Sequence, residues 1–96
     1  MEKIGDLTLS NSPAETFNII ILDALYKIDK QWNTTGDFWT VSVELDGVSI
    51  VQGIKIVEGV FIFDQYPQID FDILVPGGKL ITRKNLSEIV LGVYKR

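Results

Sequence analysis

Residues 38–67, FWTVSVELDGVSIVQGIKIVEGVFIFDQYP, decide the fold. Trp39, Val41, Val43 and Leu45 point one way, and Phe38, Thr40, Ser42 and Glu44 the other. That period of two is what a half-buried strand requires. Asp46-Gly47 stops the strand. Asp-Gly suits a type I′ hairpin turn, in which both central residues take positive φ. Folding back over it pairs Leu45 with Val48, Val43 with Ile50 and Val41 with Gln52. Gly53 marks a bulge or a close backbone approach. Ile54 to Val57 ends the second strand, Glu58-Gly59 turns again, and Val60 to Phe63 reads as a short buried segment broken by Tyr66-Pro67.

Downstream, Phe71 to Val75 reads as a strand, Pro76-Gly77-Gly78 as a turn and Lys79 to Thr82 as its return. After the polar connection Arg83-Lys84-Asn85, Ile89, Leu91 and Val93 alternate with Val90, Gly92 and Tyr94 in a last strand. Upstream, Glu2 to Leu9 forms a first strand, and Asn11-Ser12-Pro13 is turn chemistry.

Residues 12–32 support two readings. Ser12-Pro13-Ala14-Glu15 has the residues of a helix start, and Phe17, Ile20, Ile21, Ala24 and Ile28 follow at helical spacing. The same stretch also folds as a hairpin about Asp23-Ala24. Leu22 then faces Leu25, and Ile21 faces Tyr26, with Phe17, Ile19, Ile21, Tyr26, Ile28 and Trp32 on one side. β-branched and aromatic enrichment favours the hairpin. Many short strands at close spacing imply an all-β antiparallel barrel or sandwich of about six to eight strands.

The bulk numbers narrow the function. Ninety-six residues, 46% of them hydrophobic, make one domain spanning residues 1–96. Thirteen acidic and nine basic residues give a net charge of −4. That balance argues against duplex nucleic acid and anionic membranes, both of which are bound through Lys and Arg. The chain has no cysteine and no histidine, so disulfides, thiolate chemistry and the commonest general base are absent. No signal peptide is expected from MEKIGDLTLS, and no apolar run approaches a membrane span.

The order of motifs carries more than any one of them. Phe17 precedes a hairpin at Leu22-Asp23-Ala24; then come Gln31-Trp32-Asn33, a polar loop with Gly36, and Phe38-Trp39. Asp46-Gly47 follows, then Gly53-Ile54-Lys55-Ile56-Val57-Glu58-Gly59-Val60, Tyr66-Pro67, the run Arg83 to Glu88, and a strand ending Val93-Tyr94. This order, over about Phe17 to Tyr94, resembles the small baseplate plug proteins of tailed phages, known from a cyanophage contractile tail. Ala24, Gln31 and Ser87 depart from that pattern, where Gly, a basic residue and Gly are usual, and residues 68–76 do not align cleanly. The resemblance implies that residues 14–32 are a hairpin. It also implies a non-catalytic, multi-copy subunit of a contractile-tail baseplate, near the junction of tube, hub and spike. Expected partners are other baseplate, hub, spike or tail-tube proteins, with no nucleic acid, membrane or cofactor. The expected location is the virion, or a prophage- or bacteriocin-derived particle, after synthesis in the host cytoplasm. The alternative is a free-standing β-barrel that binds a peptide, a glycan or another ligand.

Trp32, Trp39, Asp46, Gly47, Gly53 and Gly59 are expected to define the fold, the tryptophans as core fillers. Phe38, an aromatic on the polar face of its strand, is a candidate partner contact. So are Ile20, Leu22 and Leu25 on the second face of the first hairpin, Val51 in the central hairpin, and the basic pair Arg83 and Lys84. Asp70 and Asp72 share a strand face, a pattern common on solvated strands; with no calcium-loop motif around them they give no metal site.

Overall fold

The computed structural model describes residues 2–96. Seven strands are described: β1 Glu2–Thr8, β2 Ala14–Ile21, β3 Ala24–Asn33, β4 Phe38–Leu45, β5 Val48–Lys55, β6 Phe71–Leu74 and β7 Val90–Lys95. A 3-10 turn at Leu86–Glu88 precedes β7. All pairings are antiparallel, in two sheets of order β2-β3-β4-β5 and β1-β7-β6. Residues 14–33 are therefore a hairpin, and the helix start at Ser12-Pro13 is not used.

The sheets face each other across a core that includes Tyr26, Ile28, Trp39, Val41, Val43, Phe63, Phe71, Leu91 and Val93. Tyr26 meets Phe71 edge to face at 4.9 Å, and Phe71 meets Phe63 at 5.6 Å, joining β3 to β6. Trp39 is buried; Trp32, half-buried, meets it edge to face at 5.1 Å.

Three local expectations are corrected. The β2–β3 turn is Leu22-Asp23, with φ of 52° and 66°, rather than Asp23-Ala24. Ile21 pairs with Ala24, Ile19 with Tyr26 and Phe17 with Ile28. Either register puts the same residues on the core face. Only the observed one sets Glu15 opposite the buried Lys30, where the other would oppose Lys30 with Phe17.

In β5, Val43 pairs with Val51 and Val41 with Ile54, not with Ile50 and Gln52. Two register shifts advance Val51 and Ile54 onto the core face and leave Gln52 in solvent. Gly53 absorbs the second shift at φ 66°, and its N–H donates to Ser42 Oγ at 3.0 Å.

Lys79 to Thr82 form no strand. The outer edge of β6 is already taken by residues 59–62. Gly59 N–H donates to Val75 O and Ile62 N–H to Ile73 O, and Phe61 bridges to Leu74.

Two buried charges tie down the irregular segments. Asp72 Oδ1 accepts the N–H groups of Phe63 and Ile73, both at 2.8 Å, and Oδ2 accepts Arg96 Nη2 at 3.2 Å. Arg96 also donates to the carbonyls of Phe63, Tyr66 and Ile69, so one side chain gathers the 63–70 loop. Lys30 donates to Ser10 O, to Ser10 Oγ at 3.2 Å and to Glu15 Oε1 at 3.2 Å, with its ammonium 4.7 Å from the Trp39 ring. It holds the crossover from β1 to β2. Among the described residues, every buried side-chain nitrogen and oxygen has a hydrogen-bond partner.

Candidate functional site

The strands give the molecule two ends. The turn end carries Leu22-Asp23 and Asp46-Gly47; the loop end carries the Thr34–Asp37 turn and the segments around Ser10 and Arg83.

At the turn end the cross-strand pair Ile20 and Leu25 points outward, 73% and 52% exposed. Leu22 is 48% exposed, and Val48, the first residue past the second turn, is 67% exposed. Carboxylates surround this apolar group. Leu22 shares a shallow hollow with Asp64, Asp70 and Arg96, and Leu25 shares another with Glu44, Asp46 and Lys27, the last paired with Glu44. Burial, with the charges of Asp70 and Asp46, pushes the Tyr26 phenol above 10.

At the loop end, Asn33 Oδ1 accepts the N–H groups of Thr35 and Gly36 at 3.0 and 2.9 Å, fixing the turn into β4. A Cβ on Gly36 would lie 2.1 Å from the Phe38 ring, so glycine makes room for the aromatic. Phe38 is half-buried, with Lys55 Nζ 4.9 Å from its ring centre. Leu80, 71% exposed, borders a hollow that Phe38 and Lys55 share with Asp37, Val57 and Glu58. Lys84 is exposed.

The expected contact residues separate. Ile20, Leu22 and Leu25 come together on the turn end, while Phe38 and Lys84 lie at the loop end. Val51 is a core residue, carried inward by the β5 register shift. Arg83 is used inside the chain: it donates to Asn11 O and stacks over Trp39 at 5.5 Å, while Trp39 Nε1 donates to Thr82 O at 3.0 Å. Asp70 and Asp72 also part company. Asp70 is exposed before β6, and Asp72 is buried in its lock. Among the described residues no group of three or more His, Cys, Asp or Glu side chains is gathered to hold a metal ion.

Sequence reasoning passed over Val48, Leu80 and Lys30, and it read Asp72 as a solvated strand residue when it is fully buried. Val48 had a signal, because a large apolar residue directly after an Asp-Gly turn stands at the open rim of a sheet. Leu80 was hidden by its assignment to a return strand.

Away from the exposed Ile20–Leu25 pair, the outer face of the four-stranded sheet is polar. Its central hollow is lined by Thr16, Lys27, Asp29, Ser42, Glu44, Ser49 and Gln52. These groups satisfy one another, with Thr16 Oγ1 donating to Asp29 Oδ1 at 3.1 Å and Lys27 pairing with Glu44 at 3.3 Å. The arrangement is suited to contact: apolar side chains on a rigid frame, with carboxylates that set orientation.

A search of curated proteins finds no match to the chain. The family model described as the plug gp18 of the cyanophage Pam3 baseplate matches residues 1–95. The match takes in both hairpins, both buried locks except for Arg96 itself, and both exposed ends. The chain belongs to the cyanophage baseplate plug family.

Proposed function

We propose that this chain is a non-catalytic structural subunit of a phage baseplate, in a contractile tail or a tail-like particle, placed near the junction of tube, hub and spike. The family match over residues 1–95 carries this reading. The geometry supports it: the irregular segments are tied down by buried charges, and exposed apolar side chains remain where a partner is needed to cover them. Several copies assemble with hub, spike, tube or other baseplate proteins, and the mature location is the virion. Net charge −4 disfavours nucleic acid as the partner. No helix among the described residues is long and apolar enough to cross a membrane.

The alternative, a free-standing binding module, would use the polar hollow on the four-stranded sheet. Its side chains are already engaged with each other, which favours the assembly reading.

Deletion of the gene from a producing strain, with complementation in trans, tests the proposal. The expected result is loss of intact tails by electron microscopy, with tubes or sheaths lacking a complete baseplate, restored by complementation. Normal particles from the deletion strain would contradict it.

A further inference from the structure

The strands β1, β2, β5 and β6 each end a sheet. An unpaired edge is a template for another strand, and folds blunt it with bulges, lysines, prolines or a covering segment. Three of these edges are blunted. β1 is broken by a register shift between Lys3 and Gly5 and carries the Lys3–Asp6 ion pair at 2.8 Å. β5 carries its register shifts and the positive φ of Gly53. β6 is covered by residues 59–62. β2 has none of these devices. Ala14–Ile21, AETFNIII, runs in unbroken register along β3, holds no lysine, glycine or proline, and spends its only charge, Glu15, on Lys30.

The phase of the β2–β3 ladder shows which groups are free. Pro13 O accepts the Trp32 N–H at 2.8 Å, so residues 13, 15, 17, 19 and 21 turn their backbone groups toward β3. Thr16, Asn18 and Ile20 therefore turn theirs to the open edge. Among the described residues, neither a second strand nor a loop backbone is bonded to them there. The side chains along this edge are incompletely covered as well. Phe17 and Ile19, on the core face, are only half-buried, and Ile20, on the outer face, is 73% exposed.

Free backbone groups of this kind call for an extended strand as the occupant, and the sequence of β2 matches itself. With a twofold axis at Asn18, Phe17 of each copy lies opposite Ile19 of the other on the core face, and Thr16 lies opposite Ile20 on the outer face. Asn18 then exchanges both backbone bonds with its mate, and Thr16 exchanges both with Ile20 on either side. Pairs of an aromatic with a β-branched residue are favourable. Glu15 falls opposite Ile21, so no like charges meet. An axis at Phe17 would instead set Glu15 against Ile19, and an axis at Ile19 would carry Thr16 past the strand end to Leu22. A slip by one residue would turn the core face of one copy outward.

We infer that two copies of this chain pair through β2, antiparallel about Asn18, joining their four-stranded sheets into one. This rests on the proposal that several copies assemble, and it names the surface. The contact is isologous, with the same edge used by both copies, so it closes at a dimer.

The test uses the purified full chain in sedimentation velocity across a concentration series. Two variants are made at Asn18, which is exposed, and thermal melting checks that each keeps the wild-type fold. The wild type is expected to form a dimer that grows no further. Asn18→Lys sets two ammonium groups opposite each other and should weaken dimerisation roughly 100-fold. The chain has no cysteine, so Asn18→Cys reports the register. Opposed Cα atoms of a bonded antiparallel pair lie about 5.5 Å apart, within disulfide range. Under mild oxidation Asn18→Cys should give a covalent dimer, and Lys84→Cys, at an exposed position of the loop end, should not.

A wild type that stays monomeric would overturn the inference and leave the edge to a strand of another protein. An Asn18→Lys variant that dimerises like the wild type, or cysteine variants that cross-link equally, would overturn it too. Assaying the wild-type protein in purified tail particles separates the two ideas. A solution monomer that is present in particles sinks the β2 contact alone. A dimer absent from particles sinks the baseplate role alone.

Discussion

The turn end and the loop end are built by different means. At the turn end, two-residue turns close both hairpins through backbone geometry, with positive φ at Leu22, Asp23, Asp46 and Gly47. At the loop end, longer connections are held by side chains. Lys30 binds Ser10 and Glu15, Arg83 binds Asn11 O, and Asn85 binds Leu80 O and the Thr82 N–H. The difference teaches where surface function can reside. Side chains at a backbone-determined end are free to meet a partner, whereas many of those at a side-chain-determined end are consumed by the fold. Arg83 illustrates the second case and Leu22 the first.

The largest break in this comparison comes from the lock behind the turn end. Asp72→Ala orphans the buried N–H groups of Phe63 and Ile73 and leaves Arg96 without its counter-charge. The expected loss is about 3–5 kcal/mol in urea unfolding, the range for removing one partner of a buried ion pair. Lys30→Met, at the loop end, should cost less, about 2 kcal/mol, because Glu15 is one-third exposed and regains water when its partner goes. Equal losses for the two substitutions would contradict the described asymmetry.

The two turns sharpen the comparison, since one geometry is occupied by different residues. Gly47→Ala places a side chain at φ 79° and should lower stability by about 1 kcal/mol. Leu22→Asn should raise stability by up to about 1 kcal/mol in urea unfolding, because asparagine tolerates the φ of 52° that leucine holds there. A Leu22→Asn variant that melts below the wild type would show that the leucine supports the fold instead.

The smallest effect concerns pH. Burial raises the Glu15 carboxyl, but hydrogen bonds from Lys30 and Ser10, with the Lys30 charge, outweigh it and hold the group below its ordinary 4.5. Its contribution is therefore complete above that value and is lost as the pH falls through the lowered folded value. Glu15→Gln should flatten the acid limb of a melting-temperature profile below pH 4.5 and leave the neutral region parallel to the wild type.

Much of the frame was legible in the residues. The β4 alternation, the Asp46-Gly47 turn, the Gly53 bulge and the last strand follow from side-chain period and turn chemistry. The hairpin at residues 14–33 was decided by the motif order, since helical spacing and strand alternation coexist there. Its register was not legible, because Leu22 is a poor signal for a positive-φ turn and the choice depends on Glu15 meeting Lys30. The β5 pairing was misplaced for a related reason: a bulge shifts which residues face inward, so Val51 read as surface and Ile54 as strand end. Lys30 and Asp72 were illegible because a charge in a strand looks solvated until its partners arrive. For Asp72 the partners are Phe63 and Arg96, and for Lys30 they are Ser10 and Glu15, all remote along the chain. Of the candidate site, Ile20, Leu22 and Leu25 were found from the face opposite the core of the first hairpin, whereas Val48 and Leu80 emerged only with the ends assembled.

The central claim is that this chain is a built-in part of a tail baseplate. Quantitative mass spectrometry of gradient-purified tail particles from producing cells tests it most directly. The account predicts co-purification at a small, fixed ratio to the tube or sheath subunit, unchanged across gradient fractions and by salt washing. Intact particles without the chain, and the chain left behind in the unassembled fraction, would contradict it.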